Sequence, residues 1–449
     1  MPSNIVLVKN IRHRTINTIV NVKSDASVSY RVLIIASLIN GNLIINNLSE
    51  CNNVLAMVSA LKNIGVSITR VGVTNNYKIQ GMSIERIIRR PRRNTINIGC
   101  SITAAHILSS VMSALPINSY FSSDNNICGR SLVNIMSILS LANVRFSDTT
   151  LPFAILNKNN TQLQPIIDYH LELSSSRIKT SLLLYAINQE GTSTILEKGT
   201  FSRDHMEILL QYLNASITIE NTEGYIRTKI IGKKPFDNPE ILNIPNDPSL
   251  AMLFVIIAAF LKNSCLSAQN ICLNQHRIKA MKILQKMHID IAIEIDKNPH
   301  NHEETGVMIC KSSNIIPTTI EDHEIKEVVI EDYPLIILIC SLADGMTTIH
   351  NAGNIINSKT AITMIKELNK LNIITEIDTK NSIIRITGKG SVIDTNGAPI
   401  SLNAHHEYRL SICFFILSLL STTEIRIEHA KNDAQEYLKQ IIMMCDNNI

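Results

Sequence analysis

Six times along the chain, a short β-like segment is followed by a polar loop, an amphipathic helix of about 12 residues and a further alternating strand. The six copies start near Ile44, Asn126, Phe201, Leu266, Thr347 and Ile425. They recur roughly every 70 to 80 residues, which is too long for a solenoid repeat and is typical of repeated α/β subdomains. The pattern therefore predicts an α/β protein with two domains of three repeats each.

Six further helices are predicted between these units, and each is apolar nearly all round. They cover residues 32–38, 104–115, 178–187, 250–261, 335–342 and 410–420. An all-round apolar helix belongs inside a domain, so we expect helices inside and sheets around them. A polar segment, GKKPFDNPE, precedes residue 241 and marks a domain boundary. The predicted N-terminal lobe is 21–243, the C-terminal lobe is 1–20 plus 244–449, and the functional cleft is expected between the lobes.

The composition argues against several classes of protein. A hydrophobic content of 45% with 18% charged residues is typical of a globular chain. The net charge of +4 is small, and the one basic cluster, RRPRR at 89–93, lacks interleaved aromatics, so no nucleic-acid partner is expected. The nine cysteines include no C-x-x-C pair, which predicts reduced thiols. The longest apolar run has about 12 residues, against roughly 20 for a membrane span, so no membrane partner is expected. We also expect the protein to be cytoplasmic and monomeric.

The segment KSDASVSYRVLIIASLING, at residues 23–41, is the first candidate binding element. Ser27 and Ser29 precede an apolar helical run, so they are predicted to cap the helix and to leave backbone N–H groups that bind an anion. The alternative is a capped core helix whose Arg31 is simply solvated.

Four further motifs occur in order, each beside a helix: SRDHMEILL from Ser202, IPNDPSLA from Ile244, EDYP from Glu331 and EYRLSI from Glu407. With these motifs, nearly the whole chain resembles the EPSP synthases (3-phosphoshikimate 1-carboxyvinyltransferases) of the class II bacterial kind. The resemblance implies a two-lobed inside-out α/β barrel of six βαβαββ-type repeats, the enolpyruvyl transferase fold. It also implies transfer of the enolpyruvyl group of phosphoenolpyruvate to the 5-hydroxyl of shikimate 3-phosphate, with no metal or other cofactor.

The same resemblance implies roles for individual residues. The shikimate 3-phosphate set is Ser27, Arg31, Ser175, Ser176, Arg177 and Glu331. The phosphoenolpyruvate set is Ile102, Arg130, Arg177 and Arg409. The catalytic set is Glu331 and Lys359. Glu331, with Asp332 beside it, stands where the family has its catalytic base, and Lys359 is the charged residue left in a shortened catalytic loop, IINSKTA. Arginine suits the anion contacts because its planar fork fits carboxylate and phosphate groups bidentately.

Several positions depart from the family pattern. Ala26 replaces an essential lysine, and the nearest lysine, Lys23, lies three positions earlier. Ile102 stands where glycine or alanine normally leaves room for phosphoenolpyruvate, a change expected to cost roughly 1 to 3 kcal/mol in a packed site. His106 replaces an arginine, and Arg177 replaces a glutamine.

These departures keep two other hypotheses open. The chain could be a non-catalytic or severely impaired descendant that retains the fold and ligand binding. It could also be the related UDP-N-acetylglucosamine enolpyruvyl transferase, which the motifs at Glu331 and Glu407 disfavour. His405 and His406 adjoin Glu407, but no third ligand is evident, so no metal site is predicted there.

Overall fold

The computed structural model describes most of the chain in two compact units. The described residues are 6–7, 14–82, 87–88, 94–158, 160, 162–166, 168–171, 174–199, 201–222, 224–235, 237–297, 302–390, 399–422, 424–431, 434, 436–437, 439–440 and 443. The N-terminal unit is Ser24–Pro245 with Asn298–Glu304, and the C-terminal unit is Met1–Lys23, Asn246–Lys297 and Thr305–Ile449. The predicted boundaries lay after residues 20 and 243. The basic cluster 89–93 lies outside the described residues.

Three sheets are formed by the described part of the N-terminal unit. Their strands, in spatial order, are Ile241–Asn243, Asn42–Asn46, Tyr77–Gln80 and Ser67–Arg70; then Asn94–Asn97, Asn118–Ser122 and Phe153–Leu156; then Ile217–Thr222, Tyr225–Ile231, Thr192–Lys198 and Tyr169–Leu171. The helices are Ala26–Leu38, Asn52–Ile64, Ile102–Ser113, Val133–Leu141, Ser176–Ile187 and His205–Tyr212.

The C-terminal unit likewise shows three sheets where its residues are described. Their strands are Ile291–Ile295, Thr305–Lys311, Cys265–Cys272 and Asn17–Val20; then Thr319–Ile320, Asp344–Ile349, Ile383–Lys389 and Ile374–Asp378; then Val6–Leu7, Ile425–Glu428 and Ile400–Asn403. The helices are Pro248–Val255, Ile257–Phe260, Lys279–Lys286, Asp322–Glu327, Tyr333–Leu342, Gly353–Ile356, Lys359–Asn369 and Tyr408–Leu420, with a 3-10 turn at Ile330–Asp332.

The repeat pattern has a structural counterpart, because every one of these sheets contains one parallel pair of strands. In two of these parallel pairs, the two strands lie far apart in the sequence. Asn17–Val20 precedes the helix Ala26–Leu38 but pairs with Cys265–Cys272. Ile241–Asn243 precedes the helix Pro248–Val255 but pairs with Asn42–Asn46. The chain therefore leaves the C-terminal unit after the strand Asn17–Val20 and returns to it after residue 245.

The two helix classes predicted from periodicity are both present. In the helix Asn52–Ile64, the buried positions follow a spacing of three and four residues, and Gly65, with φ 107°, ends the helix in the left-handed region. By contrast, the helix Tyr333–Leu342 is buried at every residue. The single helix predicted at 250–261 is wrong, because a turn at Ile256 divides it, although nothing in the local sequence marks the break.

Among the described helices, none combines the length and the apolar character needed to cross a bilayer.

Candidate functional site

Arg31 is the centre of a buried polar cluster in the N-terminal unit. Arg31 is 4% exposed, and its guanidinium donates four hydrogen bonds. Nε donates to Thr180 Oγ1 at 3.0 Å, and Nη1 donates to both the carbonyl oxygen and Oγ of Ser27 at 2.8 Å. Nη2 donates to the carbonyl oxygen of Ser176 at 3.3 Å. The structure thus brings together three of the residues predicted to bind shikimate 3-phosphate, and adds Thr180 to them.

All four acceptors of Arg31 are neutral oxygens. No carboxylate of the described residues lies within ion-pair distance of its guanidinium. Burial, with the nearby positive charge of Arg203, lowers the pKa of Arg31 to about 10, so the side chain still carries its charge at neutral pH. A buried cation without a paired carboxylate is costly unless an anion is supplied. The cluster is therefore suited to binding an anionic ligand.

The start of the helix Ala26–Leu38 differs from the prediction. Its N-cap is Asp25, whose carboxylate accepts hydrogen bonds from Ser27 N at 2.6 Å and Val28 N at 3.0 Å. The prediction that Ser27 and Ser29 cap the helix is wrong, because aspartate is as good a capping residue and Asp25 lies two positions before Ser27, directly before the first helical residue. The backbone N–H groups of Ser27 and Val28 are therefore already bonded to the Asp25 carboxylate. The side chains of Arg31 and Ser27 remain the predicted anion-binding groups at this helix start.

Side-chain hydrogen bonds tie together the starts of three buried helices in this unit. Tyr30 Oη and Ser101 Oγ are 2.7 Å apart, and Ser101 Oγ accepts from Ala104 N at the start of the helix Ile102–Ser113. Ser175 Oγ accepts from Ile178 N at the start of the helix Ser176–Ile187. With the bonds of Arg31, these contacts place three helix N-termini, each with a partial positive charge, at one end of the unit.

Arg177 and Ile102 belong to the same end of the N-terminal unit. Arg177 is the second residue of the helix Ser176–Ile187 and is exposed, and Ile102, the first residue of its helix, is half-buried. Burial and the charge of Arg177 lower the pKa of His106 to about 3, so His106 is neutral. His106 therefore does not supply the charge of the arginine that it replaces.

Arg130 is placed differently from the Arg31 cluster. It is exposed in the turn that precedes the helix Val133–Leu141, where its backbone N–H donates to the carbonyl oxygen of Ile127. Among the described residues, the structure gives no side-chain contact between Arg130 and Arg31.

Carboxylates and arginines cluster at the helix starts of the C-terminal unit. Asp247 caps the helix Pro248–Val255 and accepts from Arg277 Nη2 at 2.9 Å, and the same nitrogen lies 3.4 Å from Ser249 Oγ. Asp332 immediately precedes the helix Tyr333–Leu342 and is 1% exposed. The neighbouring Glu331 is half-buried.

The charges in this cluster shift one another's pKa. Burial raises the pKa of Asp332 to about 7, although Ser249, Arg277 and Arg409 act to lower it. For Arg409, burial lowers the pKa, but Asp247, Glu331 and Asp332 outweigh it and the net direction is upward. Asp332 can therefore gain or lose a proton near neutral pH beside a permanently charged arginine. The predicted residues Glu331 and Arg409 are thus near each other, whereas Lys359 starts the helix Lys359–Asn369 and lines a separate cavity.

Sequence reasoning missed several members of these clusters. Thr180 and Arg203 lie near Arg31, and Arg277 lies near Arg409. Asp332 was already named beside Glu331, but its deep burial was not predicted. Thr180 carried no usable signal, because its partner Arg31 is 149 positions away in sequence.

Comparisons of this sequence with known proteins identify a single family. A family model described as EPSP synthase (3-phosphoshikimate 1-carboxyvinyltransferase) matches residues 12–438. A protein of Oenococcus oeni with the name 3-phosphoshikimate 1-carboxyvinyltransferase is 27% identical over 404 residues, which cover 89% of this chain and 88% of that protein. One of Petrotoga mobilis with the same name is 29% identical over 366 residues, covering 79% and 81%.

The structural comparison supports the fold. An EPSP synthase structure from Acinetobacter baumannii matches with a TM-score of 0.85 and 21% identity, covering 99% of this chain and 98% of that one. The predicted α/β enolpyruvyl transferase fold is confirmed.

Proposed function

The chain belongs to the EPSP synthase (3-phosphoshikimate 1-carboxyvinyltransferase) family, and from this premise we propose that it transfers the enolpyruvyl group of phosphoenolpyruvate to the 5-hydroxyl of shikimate 3-phosphate. The products are EPSP, an intermediate of aromatic amino-acid biosynthesis, and phosphate. We further propose that it acts as a cytoplasmic monomer without a cofactor. The individual roles below are proposals built on the clusters already described.

The observation that carries this proposal is the environment of Arg31. Its buried guanidinium has only neutral hydrogen-bond partners, and one Nη2 hydrogen has no partner among the described residues. Shikimate 3-phosphate carries a carboxylate and a phosphate, either of which can accept the remaining Nη2 hydrogen. A charge-assisted hydrogen bond to such a group is worth about 1.5 to 3 kcal/mol.

Serine hydroxyls near Arg31 are arranged to donate to the same substrate. Ser27 Oγ accepts from Arg31, and Ser175 Oγ accepts from a backbone N–H, so the hydrogen of each hydroxyl is available to an anion. We assign Ser27 and Arg31 to the carboxylate and Ser175 and Ser176 to the phosphate. Arg177, exposed beside them, adds positive charge for either substrate.

Phosphoenolpyruvate is assigned to the remaining predicted residues. Arg130, Arg177 and Arg409 are the proposed cationic partners of its phosphate and carboxylate. Ile102 lies at a helix start and is half-buried, so its branched side chain reduces the space beside those groups. This narrowing is expected to weaken phosphoenolpyruvate binding relative to a family member with alanine there.

The reaction needs a base for the 5-hydroxyl and an acid for the methylene carbon of phosphoenolpyruvate. Glu331 is the proposed base. Asp332 is the proposed acid, because a buried carboxyl with a pKa of about 7 still holds a proton in a large fraction of molecules at neutral pH. The hydroxyl gives its proton to Glu331 as its oxygen bonds to the enol carbon, and the methylene carbon takes a proton from Asp332 to become a methyl group. Phosphate then leaves from the tetrahedral intermediate as the methyl group loses a proton back to the Asp332 carboxylate, which restores the carbon–carbon double bond.

Phosphate release in the presence of both substrates tests this function. We expect release to require shikimate 3-phosphate and phosphoenolpyruvate together. Arg31→Lys should raise the KM for shikimate 3-phosphate about tenfold or more, because lysine keeps the charge but loses the planar fork.

Arg70→Lys is the matched control in the same unit. Arg70 is exposed and pairs with Glu50 at 3.0 Å, so its replacement should leave KM unchanged. The proposal is overturned if the folded wild-type protein releases no phosphate with both substrates, or releases it equally well from phosphoenolpyruvate alone.

A further inference from the structure

Tyr437 is the centre of an aromatic cluster in the C-terminal unit, and it is 1% exposed. Its ring stacks on that of Phe254, with 4.5 Å between centroids and 19° between planes. The ring of Tyr408 meets it edge to face, with 5.9 Å between centroids and 74° between planes. Aromatic pairs in these arrangements attract one another beyond the burial of their apolar surface. Tyr437 therefore holds its two neighbours at a fixed separation.

These contacts join two helices of the unit. Phe254 belongs to the helix Pro248–Val255, and Tyr408 is the first residue of the helix Tyr408–Leu420. The side chain of Tyr437 comes from a third segment and packs between them. The start of the second helix is thus held against the first helix by an aromatic ring.

The start of the helix Tyr408–Leu420 has no side-chain cap. Its N-cap residue, Glu407, makes no capping hydrogen bond with its side chain. Such a bond normally helps to fix the first turn of a helix. Here the contact between Tyr408 and Tyr437 supplies that constraint, and Arg409, the next residue, lies in the same turn.

The hydroxyl group of Tyr437 binds the backbone at Lys23. Its oxygen accepts a hydrogen bond from Lys23 N at 3.2 Å, and the carbonyl oxygen of Lys23 accepts one from Asp247 N at 3.0 Å. The ammonium group of Lys23 lies 5.2 Å from the centre of the Tyr437 ring and pairs with Glu436 at 3.1 Å. Lys23 thus links Tyr437 to Asp247, the N-cap of the helix Pro248–Val255.

Arg409 and Asp247 are charged residues at the two helix starts that Tyr437 connects. Burial lowers the pKa of Arg409, and Asp247 is the strongest of the charges that raise it. Nε of Arg409 is buried and has no hydrogen-bond partner among the described residues. A movement of the helix start changes both the distance of this guanidinium from Asp247 and the direction of its N–H group.

We propose that Tyr437 is a positioning residue for Arg409. Its ring fixes the helix start that carries Arg409. Its hydroxyl group, through Lys23, fixes the helix start at Asp247, so the guanidinium keeps one place relative to the Asp247 carboxylate. The inference rests on the proposed function only for the identity of the anion that Arg409 binds, phosphoenolpyruvate.

The kinetics of phosphate release test the role of the ring. Tyr437→Leu removes both ring contacts and should raise the KM for phosphoenolpyruvate about tenfold or more. The KM for shikimate 3-phosphate, most of whose proposed ligands lie in the N-terminal unit, should change by less than about twofold. Tyr437→Phe keeps the ring and should restore most of the wild-type KM for phosphoenolpyruvate.

Phe121→Leu is the matched control. Phe121 stacks on Phe153 in the N-terminal unit, with 4.7 Å between centroids and 9° between planes, so its replacement also removes a buried stacked pair. It should lower the melting temperature about as much as Tyr437→Leu does and leave both KM values unchanged. If Tyr437→Leu does not fold, Tyr408→Leu removes the edge-to-face contact from its half-buried partner and should raise the same KM.

An NMR measurement separates this inference from the proposed function. In protein labelled with ¹⁵N in its arginines, the Nε–H signal of Arg409, assigned with Arg409→Lys, should shift in Tyr437→Leu but not in Phe121→Leu. The inference is overturned if the signal does not shift in the folded Tyr437→Leu or Tyr408→Leu protein. It is also overturned if an active Tyr437→Leu enzyme keeps the wild-type KM for phosphoenolpyruvate, or if Phe121→Leu raises that KM equally. If the signal shifts while the wild type releases no phosphate, the positioning role is supported and the proposed function fails.

Discussion

Replacing Asp332 by asparagine should stabilise the protein at high pH and change its stability little at low pH. The carboxyl is 1% exposed, and burial raises its pKa from 3.8 to about 7. A carboxyl whose pKa is higher in the folded state holds its proton more tightly there. Its contribution to stability is therefore lost as the pH rises from about 4 to about 7. The difference between the two pKa values corresponds to about 4 kcal/mol above pH 7.

Asparagine has nearly the same shape and cannot ionise, so Asp332→Asn removes this cost. We expect the free energy of unfolding to increase by about 4 kcal/mol at pH 8, and by only about 1 kcal/mol at pH 4.5. Urea unfolding followed by circular dichroism at several pH values measures the difference. Phosphate release by the same variant should fall, because the proposed acid is lost.

Asp344→Asn is the control for loss of one negative charge, since Asp344 is an exposed carboxylate of the same unit. The reasoning is refuted if Asp332→Asn changes the free energy of unfolding equally at pH 4.5 and pH 8, or stabilises the protein more at pH 4.5. Either result would mean that the buried carboxyl does not ionise at a cost near neutral pH.

Three other predictions follow from the same structure. Arg31→Lys should raise the KM for shikimate 3-phosphate more than it lowers kcat, measured by phosphate release, and a selective loss of kcat would contradict a binding role. Ala26→Lys combined with Ile102→Ala should increase kcat, because Ala26 is half-buried at a helix start where a lysine side chain can extend. An unchanged kcat in the folded double variant would contradict this prediction. Lys179→Met should lower the free energy of unfolding by about 3 to 5 kcal/mol, because Lys179 Nζ lies 2.6 Å from Glu197 Oε2 and 2.5 Å from Glu207 Oε1, and all three side chains are buried. An unchanged melting temperature would show that the three charges are not coupled.

The fold could be predicted from the sequence because hydrophobic periodicity is a local signal. The all-round apolar run at 335–342 became a helix buried at every position. The spacing of apolar residues at 52–64 became a helix with one buried face. Neither helix prediction requires knowing which distant residues pack around the helix. The break at Ile256 was not predictable in this way, because no glycine or proline marks it.

The candidate site could be predicted only where its members are encoded near one another or by a motif. Ser27 and Arg31 share one helix turn, and their contact follows from a spacing of four residues. The neutral acceptor Thr180 comes from another helix, and the raised pKa of Asp332 depends on Arg277, Arg409 and the depth of burial. Such properties arise from packing between segments that are distant in sequence. The residue roles assigned by resemblance stay predictions.

The long-range pairing of the strand Asn17–Val20 affects how the chain folds during synthesis. Asn17–Val20 leaves the ribosome before its partner, Cys265–Cys272, which follows 248 positions later. At about 5 to 20 residues per second, the early strand remains unpaired for about 12 to 50 s. Within that interval the sequence 24–245 emerges completely and can begin to fold. Because an unpaired strand edge promotes association with other chains, we expect newly made protein to depend on chaperones most during this interval.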